Sequence, residues 1–121
     1  MHSFLFDSYA IIELLKGNIS YAPYRSAAII TTKLNIFEVY YILLRELGEE
    51  SADTFLKDYY QFAIEYDDGV IRESTHYKLL HNTRNLSMTD CIGYAVSIRM
   101  GIRFLTGDKE FKELNNVEFV K

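Results

Sequence analysis

Ser3-Phe4-Leu5-Phe6-Asp7-Ser8-Tyr9-Ala10-Ile11-Ile12-Glu13-Leu14-Leu15 is the stretch whose reading decides the fold. Its first four residues make a short apolar run suited to a buried strand, and Asp7 ends that run as a helix N-cap. Ala10, Ile11, Leu14 and Leu15 then recur at helical spacing until Gly17-Asn18 stops the helix. Strand passes to helix through an acid. The same alternation continues along the chain.

Residues 19–26, which hold the only proline (Pro23), read as a loop or short helix. Strands are expected at 27–31, 63–66, 104–105 and 117–120. Helices are expected at 34–47, 49–62, 70–81 and 87–100, with a short one at 109–114. Ala52, Phe55, Leu56, Tyr59 and Tyr60 should form the apolar face of the helix at 49–62. Five short apolar strands alternating with amphipathic helices imply right-handed crossovers and a mainly parallel sheet covered on both faces. Ligands of such sheets bind at the carboxyl ends of the strands, near the switch in strand order.

The totals agree with one compact domain over residues 1–121. The chain is 49% hydrophobic and 25% charged, with no low-complexity tract or internal repeat. A lone Cys91 excludes an internal disulfide and a thiolate zinc site, and fits a reducing, cytoplasmic compartment. The apolar runs near the start are broken by Asp7 and Glu13 and lack a basic leader, so neither a signal peptide nor a membrane span is expected. Net charge is −4, which argues weakly against a nucleic-acid partner. The charge is polarised, however. Residues 46–68 hold eight acids and one Lys57, whereas residues 72–84 carry Arg72, Lys78 and Arg84 with His76 and His81.

Four acids stand apart: Asp7, Glu38, Asp90 and Asp108. Asp7 and Asp108 follow strands, and Asp90 lies in the first turn of a helix. Each has a structural reading as a cap, and Ser87-Met88-Thr89-Asp90 has the form of a capping box. Glu38 has no such reading. Its neighbours three and four residues away are Leu34, Asn35, Tyr41 and Ile42, none of them a cation. Its helix is apolar nearly all round, with Ile36, Val39, Tyr40 and Leu43 on one stripe and Leu34, Phe37, Tyr41 and Leu44 on another. A buried, unpaired carboxylate needs a partner from elsewhere. Four converging acids would in turn need a divalent cation, and metal-assisted phosphodiester hydrolysis is the chemistry expected of such a site.

Phe4-Leu5-Phe6-Asp7-Ser8, Thr31-Thr32 with Glu38, Ser87-Met88-Thr89-Asp90 with Ala95, and Phe104-Leu105-Thr106-Gly107-Asp108-Lys109-Glu110-Phe111 together resemble the PIN-domain nucleases. The similarity is greatest to the VapC-like toxins of toxin–antitoxin pairs, and Cys91 departs from the family's usual alanine. The resemblance implies a three-layer α/β/α sandwich around a five-stranded sheet, with Asp7, Glu38, Asp90 and Asp108 binding Mg²⁺ or Mn²⁺ to cleave RNA. Hard oxygen ligands suit those ions. Asp7 is the candidate central ligand, Glu38 a ligand or base, and Ser8 and Thr106 supporting hydroxyls. Arg84 and Lys109 are candidate phosphate contacts, each equally readable as a solvated cation. His76 and His81, five apart, read as surface residues. Relatives of this kind imply a homodimer and an antitoxin protein as partners.

Two alternatives keep the fold: a stand-alone ribonuclease in RNA maturation, and a binding module without catalysis, against which the four intact acids argue. A phospho-receiver would need an acidic pair after the first strand. A haloacid-dehalogenase-type phosphatase would need a second aspartate where Tyr9 stands.

Overall fold

The computed structural model describes residues 2–121. Its five strands are β1 (Ser3–Phe6), β2 (Ala28–Thr32), β3 (Ala63–Ile64), β4 (Arg103–Thr106) and β5 (Val117–Phe119). They form one sheet in the order β3-β2-β1-β4-β5. Every pairing is parallel, so the expected mainly parallel sheet is parallel throughout. Five helices flank it: α1 (Ser8–Lys16), α2 (Lys33–Leu47), α3 (Glu49–Tyr59), α4 (Asp68–Leu80) and α5 (Met88–Met100).

Alternation along the central strands builds the three layers. Leu5 and Phe104 point to one face, where they meet Val70, Ile92, Tyr94 and Val96 of α4 and α5. Phe6 and Leu105 point to the other, against Ala10, Ile11, Ile36, Val39 and Phe55 of α1, α2 and α3. All four strand residues are fully buried, which explains why these strands read as unbroken apolar runs.

Local signals set most boundaries. Gly17 caps α1 in the left-handed conformation, and Gly101 does the same for α5. Residues 19–26, expected as a loop or short helix, form a 3-10 helix, Ile19–Ser26, with Pro23 inside it. Several other elements differ from the sequence expectation. The expected strand 63–66 shrinks to Ala63–Ile64, because β3 is an edge strand paired only to Thr31 and Thr32. The preceding helix ends at Tyr59 and gives way to a 3-10 turn, Tyr60–Phe62, which leaves Tyr60 exposed rather than on the apolar face. Asp67 accepts from the Val70 amide and so starts α4 two residues earlier than expected. The expected 109–114 helix is only the 3-10 turn Lys109–Phe111.

Helix α2 divides its two apolar stripes. Ile36 and Val39 are buried and Tyr40 and Leu43 half-buried, whereas Leu34, Phe37, Tyr41 and Leu44 are exposed, Phe37 by 72%. Its apolar character all round is therefore not a sign of burial all round. Among the described residues no helix is long and apolar enough to cross a membrane.

Candidate functional site

The sheet changes direction of travel at β1, from which β2 lies on one side and β4 on the other. The crevice beyond the carboxyl ends of β1 and β4 is therefore where a ligand is expected. Asp7 leaves β1 there, and its amide donates to Leu105 O of β4 at 3.2 Å. Asp108 follows β4 by two residues.

Three of the four acids are caps, as their local sequence implies. Asp7 Oδ1 accepts from the Ala10 amide at 2.8 Å. Asp108 Oδ1 accepts from the Glu110 amide at 3.0 Å. Asp90 completes a reciprocal capping box with Ser87, in which its Oδ2 accepts from the Ser87 amide and Ser87 Oγ accepts from its own, both at 3.0 Å. Each of these amide bonds occupies a single carboxylate oxygen. Capping and ligand binding are thus compatible, and capping fixes the orientation of each acid.

Glu38, on the second turn of α2, is half-buried rather than fully buried. Its partner is the Ser8 hydroxyl, which donates to Oε1 at 2.5 Å. The partner it required comes from α1, thirty residues away, and is a hydroxyl instead of a cation. The Thr106 hydroxyl accepts from the Asp108 amide at 3.0 Å, and its polarity beside the Asp7 carboxyl opposes the rise that burial causes there.

The electrostatics tie the four together. Asp7 is 3% exposed, and burial pushes its carboxyl up to about 8, against the opposing hydrogen bonds from Thr106 and Ala10. Asp90 and Asp108 add to the rise through their charge. Burial also raises Asp90, with Asp108 and Glu38 contributing repulsion. Asp90 is therefore coupled to each of the other three. The charges acting most on Asp7 and Asp90 are all negative.

The acids share a field without forming a ready coordination shell. Among the described residues no three His, Cys, Asp or Glu side chains are arranged to hold a metal ion. In chemistry the donor set still fits a hard divalent cation, since it offers only oxygen and carries uncompensated negative charge. Asp7, Glu38, Asp90 and Asp108 are the residues that would hold one.

The other sequence candidates divide. Lys109 is exposed beside Asp108. Arg84 is half-buried, and its Nη1 donates to Glu110 O at 2.9 Å, while the Asn85 amide donates to the Glu110 carboxylate. These bonds latch the loop before Asp90 to the turn that carries Asp108. His76 is exposed, but His81 is half-buried and packs on Tyr77 at 4.3 Å between ring centroids.

The roles of three residues around the site escaped sequence reasoning. Asn35 is 1% exposed and donates through Nδ2 to Ser8 Oγ at 3.0 Å. Its signal was a polar residue on a buried helix, one turn before Glu38. Gly93 lets α5 approach the sheet, since an added Cβ would lie 3.1 Å from the Phe104 ring and 3.4 Å from Leu5. Gly107 is more constrained: a Cβ there would lie 2.1 Å from the Tyr9 ring and 2.4 Å from Val120 O. Only glycine lets the chain pass from β4 to Asp108 under that ring.

Comparison with known proteins agrees with this architecture. A toxin–antitoxin complex from Klebsiella pneumoniae contains a chain that superposes with a TM-score of 0.73 at 18% identity, over 95% of each chain. VapC20 of Mycobacterium tuberculosis, a sarcin-ricin loop cleaving toxin, superposes with a TM-score of 0.78 at 16% identity, over 98% of this chain and 99% of that one. At those identities the likeness is one of fold. Among curated proteins none matches the chain. The PIN domain family model matches residues 4–117, a span that includes all four acids and runs from β1 to the first residue of β5. The chain belongs to the PIN domain family.

Proposed function

We propose that the chain is a Mg²⁺- or Mn²⁺-dependent endoribonuclease, with residues 1–121 as one nuclease domain, and that it is the toxin of a VapBC-type toxin–antitoxin pair. The observation that carries this reading is the shared negative field of Asp7, Glu38, Asp90 and Asp108, which arrive from four separate elements at the carboxyl end of the sheet. A bound divalent cation would lower the pKa of water and neutralise charge on the attacked phosphate. Asp7, Asp90 and Asp108 would hold it by oxygen, each already oriented by an amide hydrogen bond at a helix start. Glu38, steadied by Ser8, would bind the metal or orient the attacking water as a base. Lys109 stands beside Asp108 as a phosphate contact.

The toxin assignment is supported by the fold likeness to VapC20 and to a chain of the Klebsiella complex. It is also supported by an apolar groove of about 420 Å³ between α2 and α3, lined by Phe37, Tyr41, Leu44 and Tyr60. In this reading an antitoxin segment or a second copy of the chain covers that groove.

The test is cleavage of a mixed tRNA and ribosomal RNA pool with Mn²⁺, with Mg²⁺ and with EDTA, beside an Asp7→Asn control. Discrete fragments that require metal and vanish in the control are expected. Inertness of the wild type across metals and RNAs would overturn the reading in favour of a non-catalytic binding module.

A further inference from the structure

Thr32, Asn35, Ser8 and Glu38 form an unbroken chain of hydrogen bonds. Thr32 Oγ1 donates to Asn35 Oδ1 at 2.7 Å. Asn35 Nδ2 donates to Ser8 Oγ at 3.0 Å, and Ser8 Oγ donates to Glu38 Oε1 at 2.5 Å. The direction of the chain follows from valence. Ser8 has one hydroxyl proton, and an oxygen that accepts from an amide is free to send that proton to a carboxylate. Turning the Asn35 amide over would set Nδ2 against Thr32 and make Ser8 donate back to Asn35. Glu38 would then face a bare oxygen lone pair.

We infer that Asn35 is a positioning residue for Glu38, acting only through the Ser8 hydroxyl. The inference rests on the metal-site reading above. Thr32 is the N-cap of α2, so the helix's own start anchors the chain that ends on the acid one turn later. Burial of Thr32, at the end of β2, and of Asn35 removes water as a competing partner at the start of the chain, while Ser8 and Glu38 are half-buried. One oxygen of Glu38 is thereby engaged and the other is presented in a set direction. This is the role that outer partners of metal-binding carboxylates play, and their loss commonly costs about 10–100-fold in metal affinity or activity.

The test is titration with Mn²⁺ alone, followed by the resonance signal of the free ion, on the wild type, Ser8→Ala, Ser8→Thr, Asn35→Leu and the double variant Ser8→Ala/Asn35→Leu. Leucine keeps the branched shape of Asn35 with a bulkier, apolar end, and melting curves identify any variant that is not folded. Ser8→Ala should weaken Mn²⁺ binding by about 10-fold, and Asn35→Leu should do so by a smaller factor. The double variant should bind no worse than Ser8→Ala, because both residues act through one hydroxyl. Ser8→Thr, which keeps that hydroxyl, should bind as the wild type does. In RNA cleavage the loss should fall on kcat, with KM for RNA unchanged. A wild type that binds and cleaves while Asn35→Leu matches it in Mn²⁺ affinity would overturn the inference alone. So would a loss from Asn35→Leu as large in the Ser8→Ala background as in the wild type. A wild type that binds no Mn²⁺ would overturn the metal-site reading and the inference with it.

Discussion

Removing the charge of Asp7 should stabilise the metal-free protein while abolishing cleavage. The Asp7 carboxyl is fully enclosed, and its pKa rises from 3.8 to about 8. A raised acid favours the fold while protonated, so its contribution is complete below about pH 4 and is lost as the pH rises through about 8. At about 1.4 kcal/mol for each tenfold change, the cost of an ionised Asp7 in the fold is capped at about 6 kcal/mol. Asp7→Asn carries no charge and keeps an oxygen for the Ala10 amide that Oδ1 now accepts. The assay is thermal unfolding in EDTA from pH 5 to pH 9. At pH 9 the variant should melt well above the wild type, at about 4 °C per kcal/mol for a chain of this size, and the gap should narrow steadily towards pH 5. Mn²⁺ at pH 9 should raise the wild type's melting temperature and leave that of the variant unchanged. A variant no more stable than wild type at pH 9, with a gap independent of pH, would refute the view that Asp7 is an uncompensated buried acid.

Gly107→Ala puts a methyl group 2.4 Å from Val120 O, which a side-chain rotation cannot relieve, so a loss of about 1–3 kcal/mol in urea unfolding is expected. A neutral result would show that the β5 end yields freely. Arg84→Ala removes the bond to Glu110 O and should cost about 1.5–3 kcal/mol with a fall in kcat, because the loop before Asp90 loses its latch. A rise in KM with a shallower salt dependence and unchanged stability would instead mark Arg84 as a phosphate contact. Phe37 is exposed on α2, so Phe37→Ser should shift stability by less than about 0.5 kcal/mol while weakening self-association or antitoxin binding in sedimentation. A loss above about 2 kcal/mol would assign it to the core.

The layering of the fold was legible because strand and helix periods are local properties of the chain. Leu5 and Phe6 fall on opposite faces of a strand whatever surrounds them, and the caps at Asp7, Ser87 and Asp108 are contacts between residues two or three apart. Strand β3 and the end of α3 were less legible, since an edge strand's length depends on what its neighbour leaves to pair. The four acids could be listed from the sequence because three stand at the starts of helices and Glu38 has no cation at helical spacing. What surrounds them could not. Whether Glu38 is paired depends on a serine from another helix, and the position of that serine depends on the packing of α1 against α2. Asn35 looked like an ordinary helix residue until the fold turned both ends of its amide to use. Gly107 needed the Tyr9 ring and the Val120 carbonyl, one residue beyond β5, to explain it. Sequence alone determined the elements, their order and the identity of the acids, because those rest on neighbours along the chain. Tertiary structure alone decided their burial, their shared field and the hydrogen bonds that orient them, because those arise between segments far apart in sequence.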